Sequence, residues 1–65
     1  MKYNEFKSKV SKLAKKTGMN VRFKNDGDAG KFYANFTDGT TIIARSGSSK
    51  VTVRYGSGHQ AMTTL

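Results

Sequence analysis

The chain contains no cysteine, no proline and no tryptophan, and it has a single histidine. The absence of cysteine excludes disulfide bonds, and one histidine alone does not provide the ligand set of a structural zinc site. The two common reinforcements of very small proteins are therefore missing. Stability has to come from side-chain packing, with self-association as an additional source.

Long hydrophobic runs are also missing. No stretch approaches the ~20 apolar residues that a membrane-spanning helix needs, and the start MKYNEFKSKVSK lacks the apolar segment of a secretory signal. We therefore expect a cytoplasmic protein without a membrane partner. The composition, rich in lysine and without Pro, Cys or Trp, suits a bacterial or phage protein.

The length of the chain allows one small domain, residues 1–65. A chain this short buries only about 60% of the surface that it exposes when unfolded, which leaves no material for a second core. The hydrophobic share is 35%, with four Phe and three Tyr in a clear periodic pattern. This pattern indicates a folded domain rather than a disordered segment.

Residues 4–17 are predicted to form a helix. Asn4 is placed to cap its first turn, and Gly18 can take the left-handed conformation that ends a helix and folds Met19 back. Four apolar residues recur at the spacing of one helical stripe: Phe6, Val10, Leu13 and Ala14.

From Asn20 the hydrophobic period changes to two, which is typical of strands. Strands are predicted at 20–24, 31–36, 40–45 and 50–55. Asp38-Gly39 predicts a tight hairpin whose central residues have positive φ. Residues 59–65 are open to three interpretations: a fifth edge strand, one helical turn or a frayed tail. The predicted fold is α+β, an N-terminal helix packed on one face of a four-stranded, or with the tail five-stranded, antiparallel meander sheet.

The alternation along the strands predicts two different sheet faces, since neighbouring side chains of a strand point to opposite sides. Only one of the adjacent Ile42 and Ile43 can face the helix, and the other lies on the outer face or under the C-terminal segment. The helix stripe, Leu13 included, is expected to share the core with the inner face of the sheet. The other residues expected there are Val21, Phe23, Phe32, Ala34, Phe36, Val51, Val53 and Tyr55.

Acidic residues are scarce, with four against twelve Lys and Arg and a net charge of +8. Such a charge attracts polyanions. Lysine and arginine neutralise phosphates, and an aromatic ring provides a stacking platform for a base. An antiparallel sheet with one ordinary solvated face is the competing interpretation. The candidate nucleic-acid-binding residues of the outer face are Arg22, Lys24, Lys31, Tyr33, Asn35, Arg45, Lys50 and Arg54.

Two further features are secondary candidates. Lys9, Lys12 and Lys16 form a cationic stripe on the helix, which lies on the opposite side of the domain from the outer sheet face. His59 follows the string Gly-Ser-Gly at 56–58, where successive amides can form an anion-binding nest, although a plain turn is the simpler interpretation. A single flat partner can use only one of the two cationic surfaces.

The first loop resembles two ligand-binding motifs without matching either. Residues 26–28 (DGD) resemble the opening of a calcium loop, but Gly30 stands at the third acidic position and the closing glutamate is missing. A phosphate loop before Lys31 would need glycine at Asn25 and Ser or Thr at Phe32. We expect a turn whose carboxylates offset one of the neighbouring basic residues: Arg22, Lys24 or Lys31.

No carboxylate pair, metal cluster or nucleophile with a base is found, so we predict no enzymatic activity, no metal and no cofactor. The leading hypothesis is a small basic nucleic-acid-binding protein, with DNA favoured over RNA. The alternative is a protein-binding module or inhibitor, of phage type, that docks on an acidic surface of a larger host protein. A third interpretation is homo-oligomerisation through the edge strand or the 59–65 tail.

Overall fold

The computed structural model describes all 65 residues, as one helix followed by five strands. The strands form one antiparallel sheet in the order in which they occur along the chain. The α+β prediction is confirmed, and the undecided segment 59–65 contains the fifth strand. The elements are α1 (Tyr3–Thr17), β1 (Val21–Asp26), β2 (Lys31–Phe36), β3 (Thr41–Arg45), β4 (Lys50–Arg54) and β5 (Gln60–Thr64).

The start of α1 differs from the prediction. The helix begins one residue earlier, its N-cap is Lys2, and no side chain caps it. The Phe6 amide already donates to the Lys2 carbonyl at 3.0 Å, so Asn4 lies inside the first turn. The predicted Asn4 cap is therefore wrong.

The end of α1 agrees with the prediction from the sequence. Gly18 has φ 73°, the left-handed conformation that glycine adopts without steric cost. Its amide donates to the Lys15 carbonyl at 3.3 Å, and the Met19 amide donates to the Ala14 carbonyl at 3.1 Å. This pair of bonds satisfies two free carbonyls of the last turn and returns Met19 to the core.

The core lies between α1 and the inner face of the sheet. Its centre is the fully buried Phe6 ring, whose centroid is 5.8 Å from that of Phe32 and 6.2 Å from that of Phe23. Ile42 is buried, which settles the choice between the two adjacent isoleucines. The buried residues are Phe6, Val10, Ala14, Phe32, Ala34, Phe36, Ile42, Ala44 and Val51.

Two residues predicted to be internal are exposed to solvent over more than a third of their surface. Leu13 is 39% exposed and Tyr55 is 45% exposed. Because α1 packs against β1 and β2, it leaves the far end of β4 uncovered. Leu13 and Tyr55 instead border an apolar groove of about 310 Å³ between the helix and β4.

The turn between β2 and β3 has three residues. The Phe36 amide donates to the Thr40 carbonyl at 2.8 Å, and the Gly39 amide donates to the Phe36 carbonyl at 3.1 Å. Gly39 has φ 92°, whereas no non-glycine residue has positive φ. The hairpin prediction holds, but Asp38 does not share the positive φ expected of both central residues.

The turn between β4 and β5 repeats this geometry at residues 56–58. The Tyr55 amide donates to the His59 carbonyl at 2.8 Å, and the Gly58 amide donates to the Tyr55 carbonyl at 2.9 Å. The two turns pack against each other, since a Cβ atom on Gly56 would lie 3.3 Å from the Asp38 carbonyl oxygen. The string Gly-Ser-Gly is thus an ordinary hairpin turn.

Candidate nucleic-acid interface

The outer face is the side of the sheet that α1 does not cover. Strand register sorts its side chains into three rows that run across all five strands. We call the middle one the central row. It is formed, from β1 to β5, by Lys24, Tyr33, Ile43, Thr52 and Met62.

The other two rows flank the central row and carry most of the charge. The first flanking row is Arg22, Asn35, Thr41, Arg54 and Gln60. The second flanking row is Asp26, Lys31, Arg45, Lys50 and Thr64. All eight candidate residues of the sheet predicted from the sequence therefore lie on one surface, with six cations and one carboxylate.

None of these six cationic side chains makes an ion pair or donates a hydrogen bond within the chain. The ion pair of the structure joins Glu5 and Lys9 on the helix, at 4.0 Å. Asp26 lies directly opposite Lys31, but its carboxylate accepts a hydrogen bond from the Ala29 amide at 3.3 Å. Asp26 therefore forms no ion pair with Lys31, and it lowers the local positive potential only as a nearby charge. The outer-face cations are thus available to an external anion.

The central row is apolar at its middle and at its β5 end. Tyr33 and Ile43 are half-buried, and Met62 is 71% exposed. Ile43 and Met62 contribute the apolar part of a shallow depression of about 540 Å³. The depression is lined by Lys31, Ile43, Arg45, Ser48, Lys50, Thr52, Gln60 and Met62.

A second depression of about 380 Å³ lies at the opposite end of β1 and β2 and is lined in part by Arg22 and Asn35. The Thr41 hydroxyl donates to Asn35 Oδ1 at 2.9 Å. This bond occupies the acceptor of the amide and leaves its NH₂ group free to donate. Arg22 and Asn35 together offer a cation and an oriented donor at one place.

The helix lysines are not brought together with the outer face. Lys9 donates to the Leu65 carbonyl at 3.2 Å and pairs with Glu5, so its charge is partly used within the chain. Lys12 and Lys16 are exposed on the opposite side of the domain. The helix stripe is therefore a separate and weaker candidate surface.

His59 is also separate from the outer face. It stacks on Tyr55, with ring centroids 6.0 Å apart and an interplanar angle of 21°. Because His59 precedes Gln60, whose side chain is on the outer face, His59 points to the helix side. His59, a secondary candidate, thus lies away from the outer face, whereas Gln60 lies on it.

Met62, like Gln60, lies on the outer face but is not predicted from the sequence. The segment Gln60–Thr64 has no hydrophobic alternation that would identify it as a strand. The usable signal was the glycine turn at 56–58, which returns the chain beside β4.

No group of three His, Cys, Asp or Glu side chains is placed to hold a metal ion. The helix is too short and too polar to cross a lipid bilayer. No protein-family model, curated protein or solved structure shows a significant match to the chain.

Proposed function

We propose that the chain binds single-stranded nucleic acid on the outer face and carries out no catalytic step. The observation that supports this proposal is the arrangement of the six unpaired cations on the outer face. Five of them lie in the two flanking rows, and Lys24 lies in the central row beside Tyr33 and Ile43. In this arrangement the flanking rows neutralise phosphates, and the central row receives bases. A face that serves only solubility needs the charges but not the apolar row.

The outer face suits a single strand better than a duplex. Five strands at a spacing of about 4.8 Å give a surface roughly 19 Å across, without a ridge that would enter a groove. In a duplex the base faces are stacked internally, so Tyr33 and Ile43 would find no partner there. In a single strand they are open to an aromatic or apolar side chain.

Each part of the outer face has its own role in this proposal. Arg22 and Arg54 lie in the first flanking row and hold phosphates on one side of the central row. Lys31 and Lys50 do the same on the other side. Tyr33 stacks on a base, and the NH₂ group of Asn35 donates to a base edge or a sugar.

Fluorescence anisotropy with a labelled oligonucleotide tests the proposal. Oligomers of DNA and RNA with the same sequence, each single stranded and as a duplex, are titrated over a range of salt concentrations. We expect the single strands to bind more tightly than the duplexes, with DNA favoured over RNA. If all six outer-face cations contact phosphates, log K falls with log salt at a slope of about −4. Binding no tighter than that of a lysine-rich peptide of equal charge would refute the proposal.

The depression around Ile43 and Met62 favours a second candidate, an acidic protein surface. Its floor is partly apolar and its rim is basic, as in interfaces where a few buried anchors are surrounded by polar residues. In this alternative the chain is a binding module or inhibitor. A pull-down with and without nuclease distinguishes the candidates, since a protein partner remains after nuclease treatment and a nucleic acid does not.

A further inference from the structure

The two edges of the sheet differ in charge. One edge is β1, which carries Arg22, Lys24 and Asp26. The other edge is β5, which carries no charged residue, and all five of its residues are exposed. Natural sheets prevent edge-to-edge pairing with charges, prolines or bulges. The β1 edge has such protection and the β5 edge has none.

The backbone of β5 has a defined set of free hydrogen-bonding groups. The Tyr55 amide donates to the His59 carbonyl, and the Leu65 amide donates to the Ser49 carbonyl at 3.4 Å. Because hydrogen-bonded pairs alternate along an antiparallel ladder, residues 59, 61, 63 and 65 bond to β4. The amides and carbonyls of the residues between them point away from the sheet. These residues are Gln60, Met62 and Thr64.

We propose that this free edge pairs antiparallel with the β5 edge of a second copy of the chain, about a two-fold axis at Met62. With this register, Met62 lies opposite Met62 of the partner subunit, and Gln60 lies opposite Thr64 of the partner subunit. Each opposed pair exchanges two backbone hydrogen bonds. A register centred on any other residue of β5 leaves some of the outward-facing groups without a partner.

The pairing fits the charge of the chain. Two copies with a net charge of +8 each repel one another, and an approach through α1 or β1 would bring like charges into contact. At the β5 edge no charged side chains are directly opposed, because all five residues of the strand are neutral. Screening by salt reduces the remaining repulsion. Association through β5 should therefore strengthen as the salt concentration rises.

The dimer also extends the outer face. The two-fold axis stands perpendicular to the sheet, so both outer faces lie on the same side of a ten-stranded sheet. Met62 lies in the floor of the depression described above, and Lys50, Met62 and Thr64 border a smaller one at the free edge. Met62 and Thr64 of the partner subunit thus continue the floor, and the central rows of both copies become one.

Sedimentation velocity at increasing protein concentration tests the proposal. The wild-type chain is expected to change from the mass of one chain to that of two, at lower protein concentration when salt is added. Met62→Pro removes an amide that points away from β4, so it leaves the β4–β5 ladder intact. Met62→Lys places two like charges at the two-fold axis without a backbone change. Both variants should retain the wild-type circular dichroism spectrum and the mass of one chain.

Asn25→Pro is the matched control on the other edge. The Thr37 amide donates to the Asn20 carbonyl at 3.2 Å, so by the same alternation the Asn25 amide points away from β2. This variant should dimerise like the wild type. The proposal is overturned if the wild type remains a single chain at millimolar concentration, if both Met62 variants dimerise normally, or if Asn25→Pro abolishes dimerisation.

Discussion

Tyr33 and Ile43 lie directly opposite each other on β2 and β3, at the centre of the outer face. Neither belongs to the core, which is complete on the other side of the sheet. Their apolar surface is therefore left beside unpaired cations, and Met62 continues it at the edge. An ordinary solvated face alternates polar residues with buried ones and does not need this row. The pairing of Tyr33 with Ile43 is the reason to expect a ligand with both charge and flat apolar surface.

The stacking role predicts that Tyr33→Ala weakens binding of a single-stranded oligonucleotide. Loss of one base contact on an aromatic ring costs about 1–3 kcal/mol, or roughly 5- to 150-fold in Kd. Tyr55→Ala is the control, because Tyr55 is also exposed but lies away from the outer face. Anisotropy titrations at one salt concentration measure both. Equal effects of the two substitutions would contradict the role of Tyr33.

The charge arrangement predicts that position matters more than net charge. The double variant Arg22→Gln with Arg54→Gln removes two cations from the first flanking row, and the slope of log K against log salt should become shallower by about 1.4 for a single strand. The double variant Lys12→Gln with Lys16→Gln makes the same change in net charge on the helix. Its slope should stay close to the wild-type value. If the two variants behave alike, binding depends on overall charge and the outer-face assignment is wrong.

Much of the fold could be predicted because its signals are local. The glycine after α1 marks the helix end, and alternating residues such as Arg22 and Phe23 show which side of a strand meets the core. The predicted core positions of Leu13 and Tyr55 are wrong, because both side chains are exposed. Periodicity shows which side of an element is apolar, but it does not show where the helix crosses the sheet.

The candidate site could be predicted only in part, because only some of its signals are local. The outer-face cations follow from alternation within each strand, but their order in rows follows from register, which depends on the turns. Met62 was missed because β5 is exposed on both faces, so burial imposes no hydrophobic pattern on it. The strand exists because a three-residue turn aligns it with β4. The segment is a strand because it pairs with β4, and the residue composition of the segment alone does not reveal that pairing.

The β2–β3 turn predicts a difference between two glycine substitutions. Gly39 has φ 92°, and an alanine there adopts a left-handed conformation at a cost of about 1–2 kcal/mol in the free energy of unfolding. Gly27 does not have positive φ, and no atom lies within 4 Å of the place where its Cβ would be. Gly27→Ala should be neutral or stabilising by about 0.4–1 kcal/mol, because it restricts the unfolded chain. Urea unfolding of both variants checks the difference, and equal destabilisation would show that the turn geometry is not as described.

The same turn predicts a small pH dependence of stability. The Thr40 amide donates to Asp38 Oδ1 at 2.9 Å, and this hydrogen bond lowers the pKa of the Asp38 carboxyl from its ordinary value of 3.8. A carboxyl whose pKa is lower in the folded state stabilises the fold fully above the unfolded pKa. That contribution is lost as the pH falls through the folded pKa. The wild type should therefore lose stability below about pH 4, and Asp38→Asn should lose less over the same range.

Thermal unfolding as a function of pH measures this difference in stability. Asp28→Asn is the control, because the Asp28 carboxylate accepts no hydrogen bond. A pH profile of Asp38→Asn that is parallel to that of the wild type, with Asp28→Asn showing the flatter profile instead, would contradict the role of Asp38.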